Sequence, residues 1–169
     1  HRFWIMVVNG GYAGHGETYM HPQDILWWAK GGVLRGESWK RIGYLREIIE
    51  TGPAGRLSPQ RGSEGNVFDD HGFADHYFWM RYSGGRIEDY FLVYLENYQP
   101  LRLPVWLTEG EYKIDIIDTW EMTISPATVN KLSSPLPYAY DNPDTLNPSH
   151  EIELPGKPRI ALRIQRLVT

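Results

Sequence analysis

After residue 72 this chain never returns to a helical period. His76–Tyr82, Ile87–Glu96, Gly110–Ile117, Thr119–Ser125, His150–Leu154 and Arg159–Leu167 are short segments rich in Tyr, Phe, Val, Ile and Trp, residues that suit a pleated, half-buried surface. Tyr112, Ile114 and Ile116 alternate with Lys113 and Asp115, the pattern of a strand with one face in a core. Ser83-Gly84-Gly85 supplies turn chemistry between the first two segments. Leu107-Thr108-Glu109-Gly110 reads as a loop leading into the next, and Ser133–Ser149, with four prolines, as a long surface loop. Short strands with no helix between them predict an antiparallel sandwich.

The first third follows another rule. Trp39, Ile42, Leu45, Ile48 and Ile49 recur at helical spacing while Lys40, Arg41, Arg46, Glu47 and Glu50 fall elsewhere. Ser38 is placed to cap this helix, and Thr51-Gly52-Pro53 stops it. From Ala54 to Gly72 the chain has little periodicity, which marks a domain boundary. Phe3–Val8 is an apolar run that periodicity cannot divide between strand and buried helix. The following Asn9-Gly10 suits either a helix C-cap or a hairpin turn. Pro22 opens a short helix that Gly31-Gly32 would end. Trp27 and Trp28 cannot face the same way on it, so one is core and the other is free to line a pocket.

Between these segments lies Gly10-Gly11-Tyr12-Ala13-Gly14-His15-Gly16-Glu17-Thr18-Tyr19. In an extended backbone His15, Glu17 and Tyr19 share a face. Such a titratable, aromatic row suits the floor of a binding pocket, and a solvated glycine turn is the plainer alternative.

Composition excludes several classes. The net charge is −4 with scattered Lys and Arg, so there is no basic stripe for nucleic acid. No apolar run reaches the length of a membrane span. With no cysteine, thiol catalysis, disulfides and thiolate metal sites are ruled out, although the compartment stays open. Seven Trp, eleven Tyr and five Phe suit either sugar stacking or a sandwich core. His1-Arg2-Phe3-Trp4 plunges into apolar sequence with no leader, which reads as a piece of something longer.

Arg2-Phe3-Trp4, the stretch from Gly10 to Tyr19, Trp27-Trp28 and Gly36-Glu37-Ser38 together resemble the last part of an apiosidase-like (β/α)8 glycoside-hydrolase barrel. Gly110-Glu111-Tyr112-Lys113-Ile114-Asp115-Ile116-Ile117-Asp118-Thr119-Trp120 and Leu154-Pro155-Gly156-Lys157-Pro158 resemble the β-sandwich that follows in such chains, domain-of-unknown-function family 5605. The resemblance implies an α+β chain, mainly antiparallel β-sandwich preceded by the helical end of a truncated barrel. Residues 1–51 would be the barrel piece, 52–72 a linker and 73–169 the sandwich. Residues 1–9 become the end of the seventh barrel helix, capped by Asn9-Gly10, and Gly11 to Glu17 the eighth strand. Active sites lie at the C-terminal ends of barrel strands, which would put His15, Glu17 and Tyr19 at the pocket rim as substrate contacts, with Trp27 or Trp28 stacking on a sugar.

The same resemblance puts the catalytic carboxylates on the fourth and seventh strands, upstream of His1. The chain alone is then expected to be inactive, to bind carbohydrate, to need the missing N-terminal barrel portion as a partner, and to self-associate through exposed apolar surface. No cofactor or metal is expected. Asp115, Asp118 and Glu121 read as a solvated face or a turn at Asp118-Thr119. Asp69, Asp70, His71, Asp75 and His76 are loosely spaced for zinc, and Asp141, Asn142, Asp144 and Asn147 lack EF-hand spacing; both read as plain loop. Trp79, Trp106 and Trp120 are candidates for a sugar platform on the sandwich, which would make the chain a self-contained, non-catalytic carbohydrate-binding module.

Overall fold

The computed structural model describes residues 1–23, 32–55, 57–59, 83–87, 89–105, 107, 109–132 and 149–167. Their elements are α1 (Arg2–Val8), α2 (Ser38–Glu50), β1 (Ser58–Pro59), β2 (Ser83–Ile87), β3 (Tyr90–Tyr94), β4 (Arg102–Val105), β5 (Glu111–Asp118), β6 (Thr123–Pro126), β7 (Val129–Lys131), β8 (His150–Glu153) and β9 (Ile160–Leu167). One sheet runs β1-β2-β3-β9-β5-β6 and a second runs β4-β8-β7. Every pairing among these strands is antiparallel. The described residues are therefore α+β.

Strand alternation divides the buried residues between two cores. Phe91 and Val93 of β3, Ile114 of β5, and Leu162 and Ile164 of β9 face the smaller sheet, whose Leu103, Val105 and Ile152 close that core. Tyr90, Leu92, Tyr94, Ile117 and Ala161 face the other way, against Trp4, Val8, Leu45 and Ile48 of the helices. The larger sheet is thus covered on both sides, by strands on one and by helices on the other. A strand buried on both faces needs no alternation, and β3 is buried at every position.

Of the expected strand Ile87–Glu96, Tyr90–Tyr94 forms β3, while Ile87 is the last residue of β2 and pairs with Tyr90. The turn expected at Ser83-Gly84-Gly85 lies instead inside β2. A Cβ on Gly85 would sit 2.1 Å from the Val8 carbonyl oxygen and 2.8 Å from Leu57 Cβ. This glycine lets the last turn of α1 approach the strand backbone. The segment expected as a strand from Thr119 begins only at Thr123. Asp118 Oδ1 accepts from the backbone N–H groups of Trp120 and Glu121 at 3.0 Å each, and this local bonding replaces the ladder with a turn. The short strands β4 and β7 are additions to the expected set, and so is β1, which lies within the stretch from Ala54 to Gly72 expected to be loop. Pro104 is tolerated in β4 because that strand is an edge. The segment His76–Tyr82 lies outside the described residues.

Burial raises the Asp118 carboxyl, but the Glu121 N–H, the Lys157 ammonium and the Trp120 N–H outweigh it and hold the group below its ordinary 3.8. A lowered carboxylate contributes stability that is present above its unfolded value and lost as pH falls through the folded one. Asp118→Ala is expected to cost about 1–3 kcal/mol at neutral pH, and the deficit to shrink below about pH 4. Urea titrations at two pH values check this; a deficit that stays constant into acid contradicts it.

In the first third, α1 ends as a capped helix, with Gly10 in the left-handed region at φ 71° and its N–H donating to the Val7 carbonyl at 2.8 Å. The expected eighth strand is not formed: residues 11–18 carry no ladder. Pairing begins at Thr18, whose carbonyl accepts from Arg35, and Tyr19 bridges Leu34. Among the described residues, nothing lies within 4 Å of where a Cβ would be on Gly14 or Gly16, so side chains would have room at both positions. In α2, Leu45 and Ile48 are buried as the periodicity predicts. Trp39, expected on that face, is 51% exposed.

Candidate functional site

The loop from Gly11 to Met20 crosses the start of α2, and this crossing assembles the site. His15 Nε2 lies 2.8 Å from Ser38 Oγ, and Ser38 Oγ donates to Glu17 Oε2 at 2.7 Å. His15 Nε2 lies 3.1 Å from the same Glu17 oxygen. The three groups close a triangle, with the His15 ring edge-on to Phe3 of α1 at 6.2 Å between centroids. The His15 and Glu17 side chains remain partly open to solvent.

The pairing of His15 with Glu17 follows the two-residue spacing. Tyr19 stands apart from the triangle, in the bridge to Leu34 with its ring beside Gly32. Trp27 and Trp28 lie outside the described residues. Ser38 is the group whose role departs from the expected one. It is the first residue of α2, Glu37 occupies the cap position, and the cap makes no side-chain hydrogen bond. The Ser38 hydroxyl is directed to Glu17 instead. Its place beside Gly36 and Glu37 was the available signal. At the rim, Glu37 pairs with Lys40 at 2.8 Å, and the hydrogen bond from Lys40 holds the Glu37 carboxyl below its ordinary range.

Asp115 and Asp118 are not a solvated face. Asp115 is 5% exposed and its Oδ2 accepts from Arg163 Nε at 2.9 Å and Nη2 at 2.6 Å. The pair lies on the helix-covered side of the larger sheet, in register with Ile117 and Ala161. Among the described residues, the Tyr90 and Tyr44 hydroxyls are buried without hydrogen-bond partners. Burial pushes both phenols up, with the Arg163 guanidinium pulling the other way. The expected turn at Asp118-Thr119 is present.

Two grooves flank α2. One, of about 590 Å³, separates it from α1 and is lined by Phe3, Val7, Ile42, Leu45 and Ile49, among others. The other, of about 410 Å³, is lined by Trp39, Lys40, Tyr44, Glu47 and Met122, among others. Nearby, Trp120 is 57% exposed, with the Arg41 guanidinium 3.9 Å from its ring centroid and Arg41 Nε donating to its carbonyl at 3.1 Å. Trp79, Trp106 and both possible metal loops lie outside the described residues. Among the described residues, no group of three His, Asp or Glu is placed to hold a metal ion, and no helix is long and apolar enough to cross a membrane.

A family model, Domain of unknown function (DUF5605), matches residues 79–165. No curated protein matches the chain. Among solved structures, a provisionally assigned glycoside hydrolase from Bacteroides vulgatus is similar, with 28% identity and a TM-score of 0.57 over 95% of this chain. This chain spans 30% of the length of that one.

Proposed function

Since the chain belongs to the domain-of-unknown-function family 5605, we propose that it is the C-terminal part of a glycoside hydrolase. Residues 1–51 would complete a (β/α)8 barrel and the two sheets would cover it. The observation that carries this reading is the likeness to the Bacteroides vulgatus protein along nearly the whole chain. The apolar groove between α1 and α2 supports it, because barrel strands are the apolar surface such a helix pair covers. Hydrolysis would come from two carboxylates on the remainder of the barrel, about 5–5.5 Å apart in a retaining enzyme. His15 and Glu17 would orient the sugar, Tyr19 would border the same loop, and Trp27 or Trp28 would stack on a ring.

Exposed Trp120, braced by Arg41, favours a second reading: a self-contained module that binds carbohydrate on its sheets. Titration of the chain with a panel of oligosaccharides separates the two. In the first reading His15→Ala and Glu17→Ala each weaken binding about tenfold, the loss of a hydrogen bond to a charged group, and Trp120→Ala does not. In the second the pattern reverses. Expression of a longer chain, extended upstream of His1 through the whole barrel, should yield glycosidase activity that the 169-residue chain lacks. A longer chain inert on every glycan of the panel would overturn the hydrolase reading.

A further inference from the structure

We infer that Ser38 and Gly36 are positioning residues that fix the Glu17 carboxylate, place a proton on His15 Nε2, and leave Glu17 Oε1 to accept a hydroxyl of a neutral sugar. The ligand half of this inference rests on the sugar-contact reading above. The hydrogen-bond half rests on geometry alone.

Glu17 Oε2 has two neighbours, Ser38 Oγ at 2.7 Å and His15 Nε2 at 3.1 Å. The Ser38 contact is a hydrogen bond and the His15 contact a charge-pair distance, and because a carboxylate only accepts, Ser38 must be the donor to it. Ser38 has one hydroxyl proton, and it is directed at Glu17. Toward His15, 2.8 Å away, Ser38 can therefore only accept, and Nε2 must carry the hydrogen. The opposite arrangement, with Ser38 donating to a bare Nε2, would set a nitrogen lone pair against the carboxylate and leave Glu17 without a donor.

Two consequences follow. Ser38 is not an activated nucleophile, because activation needs an adjacent base with a free lone pair. Glu17 Oε1, in contrast, makes no hydrogen bond among the described residues. Its room comes from Gly36, where a Cβ would lie 1.8 Å from Oε1 and 2.9 Å from Cδ. The Gly36 backbone is outside the left-handed region, so this glycine is needed for space rather than for conformation. A free carboxylate oxygen calls for a donor. Neutral sugars offer hydroxyls, whereas a uronic acid would add a like charge, which disfavours binding.

Nitrogen-15 NMR of the His15 ring in the 169-residue chain tests the hydrogen-bond half. Wild type should show the Nε2–H tautomer where the ring is neutral. Gly36→Ala, which displaces the carboxylate, and Ser38→Ala should each shift the ring nitrogens toward the mixed pattern of a solvated histidine. An Nδ1–H tautomer in wild type, or ring nitrogens unmoved in Ser38→Ala, would overturn the assignment even if Gly36→Ala fails to fold. For the ligand half, neutral tetrasaccharides should bind about tenfold more tightly than uronic-acid tetrasaccharides, with Ser38→Ala reducing neutral-sugar affinity about tenfold. A preference for uronic acids overturns that half. An intact tautomer signature with no binding of either sugar type instead defeats the sugar-contact reading and leaves the hydrogen-bond assignment standing.

Discussion

Arg163→Met is expected to cost about 3–5 kcal/mol of folding stability, because it strands a buried carboxylate. Asp115 accepts two hydrogen bonds from Arg163. A second cation, Lys113, is 3.9 Å away with a largely exposed side chain, and a screened surface partner offsets little. Replacing both members, as in Asp115→Val with Arg163→Met, should recover most of the loss, since a packed apolar pair can equal or exceed a buried ion pair. Denaturant midpoints of the single and double variants measure this directly. A single variant as stable as wild type would mean that the carboxylate reaches water.

Gly85→Ala is expected to destabilise by about 2–3 kcal/mol through overpacking. The added methyl meets a backbone carbonyl, that of Val8, rather than a side chain that could swing away. The damage should be local. Trp4 is buried and stacks on Tyr94 at 5.4 Å between ring centroids, so undocking of α1 should shift its fluorescence and expose the α1 amides to exchange. The core between the two sheets should keep its protection. Uniform loss of protection across both sheets would show that α1 is not a separable layer.

The parts that were legible in the sequence are those with a periodic apolar face. β5 announced itself through Tyr112, Ile114 and Ile116, although its other face also meets a core at Ile117, and α2 through Leu45 and Ile48. β3 was recognisable as an apolar run, but its join to β2 was hidden by Gly85, whose purpose is close packing against a helix distant in sequence. Asp115 looked solvent-facing because its partner, Arg163, lies on β9, 48 residues away. Half of the candidate site could be read from local spacing, since His15 and Glu17 lie on one short segment. Ser38 could not, because an N-terminal helix serine has a local use that conceals a tertiary one.

The position of β9 has a consequence for the order of assembly. It is the last of the described strands in sequence, yet it lies between β3 and β5. Until residues 160–167 have been synthesised, the β2–β3 hairpin and the β5–β6 hairpin have no shared ladder. Such late, non-local closure slows folding. Any domain upstream on the same chain would have finished emerging from the ribosome before this sheet could join, and would act as the preformed surface on which it does.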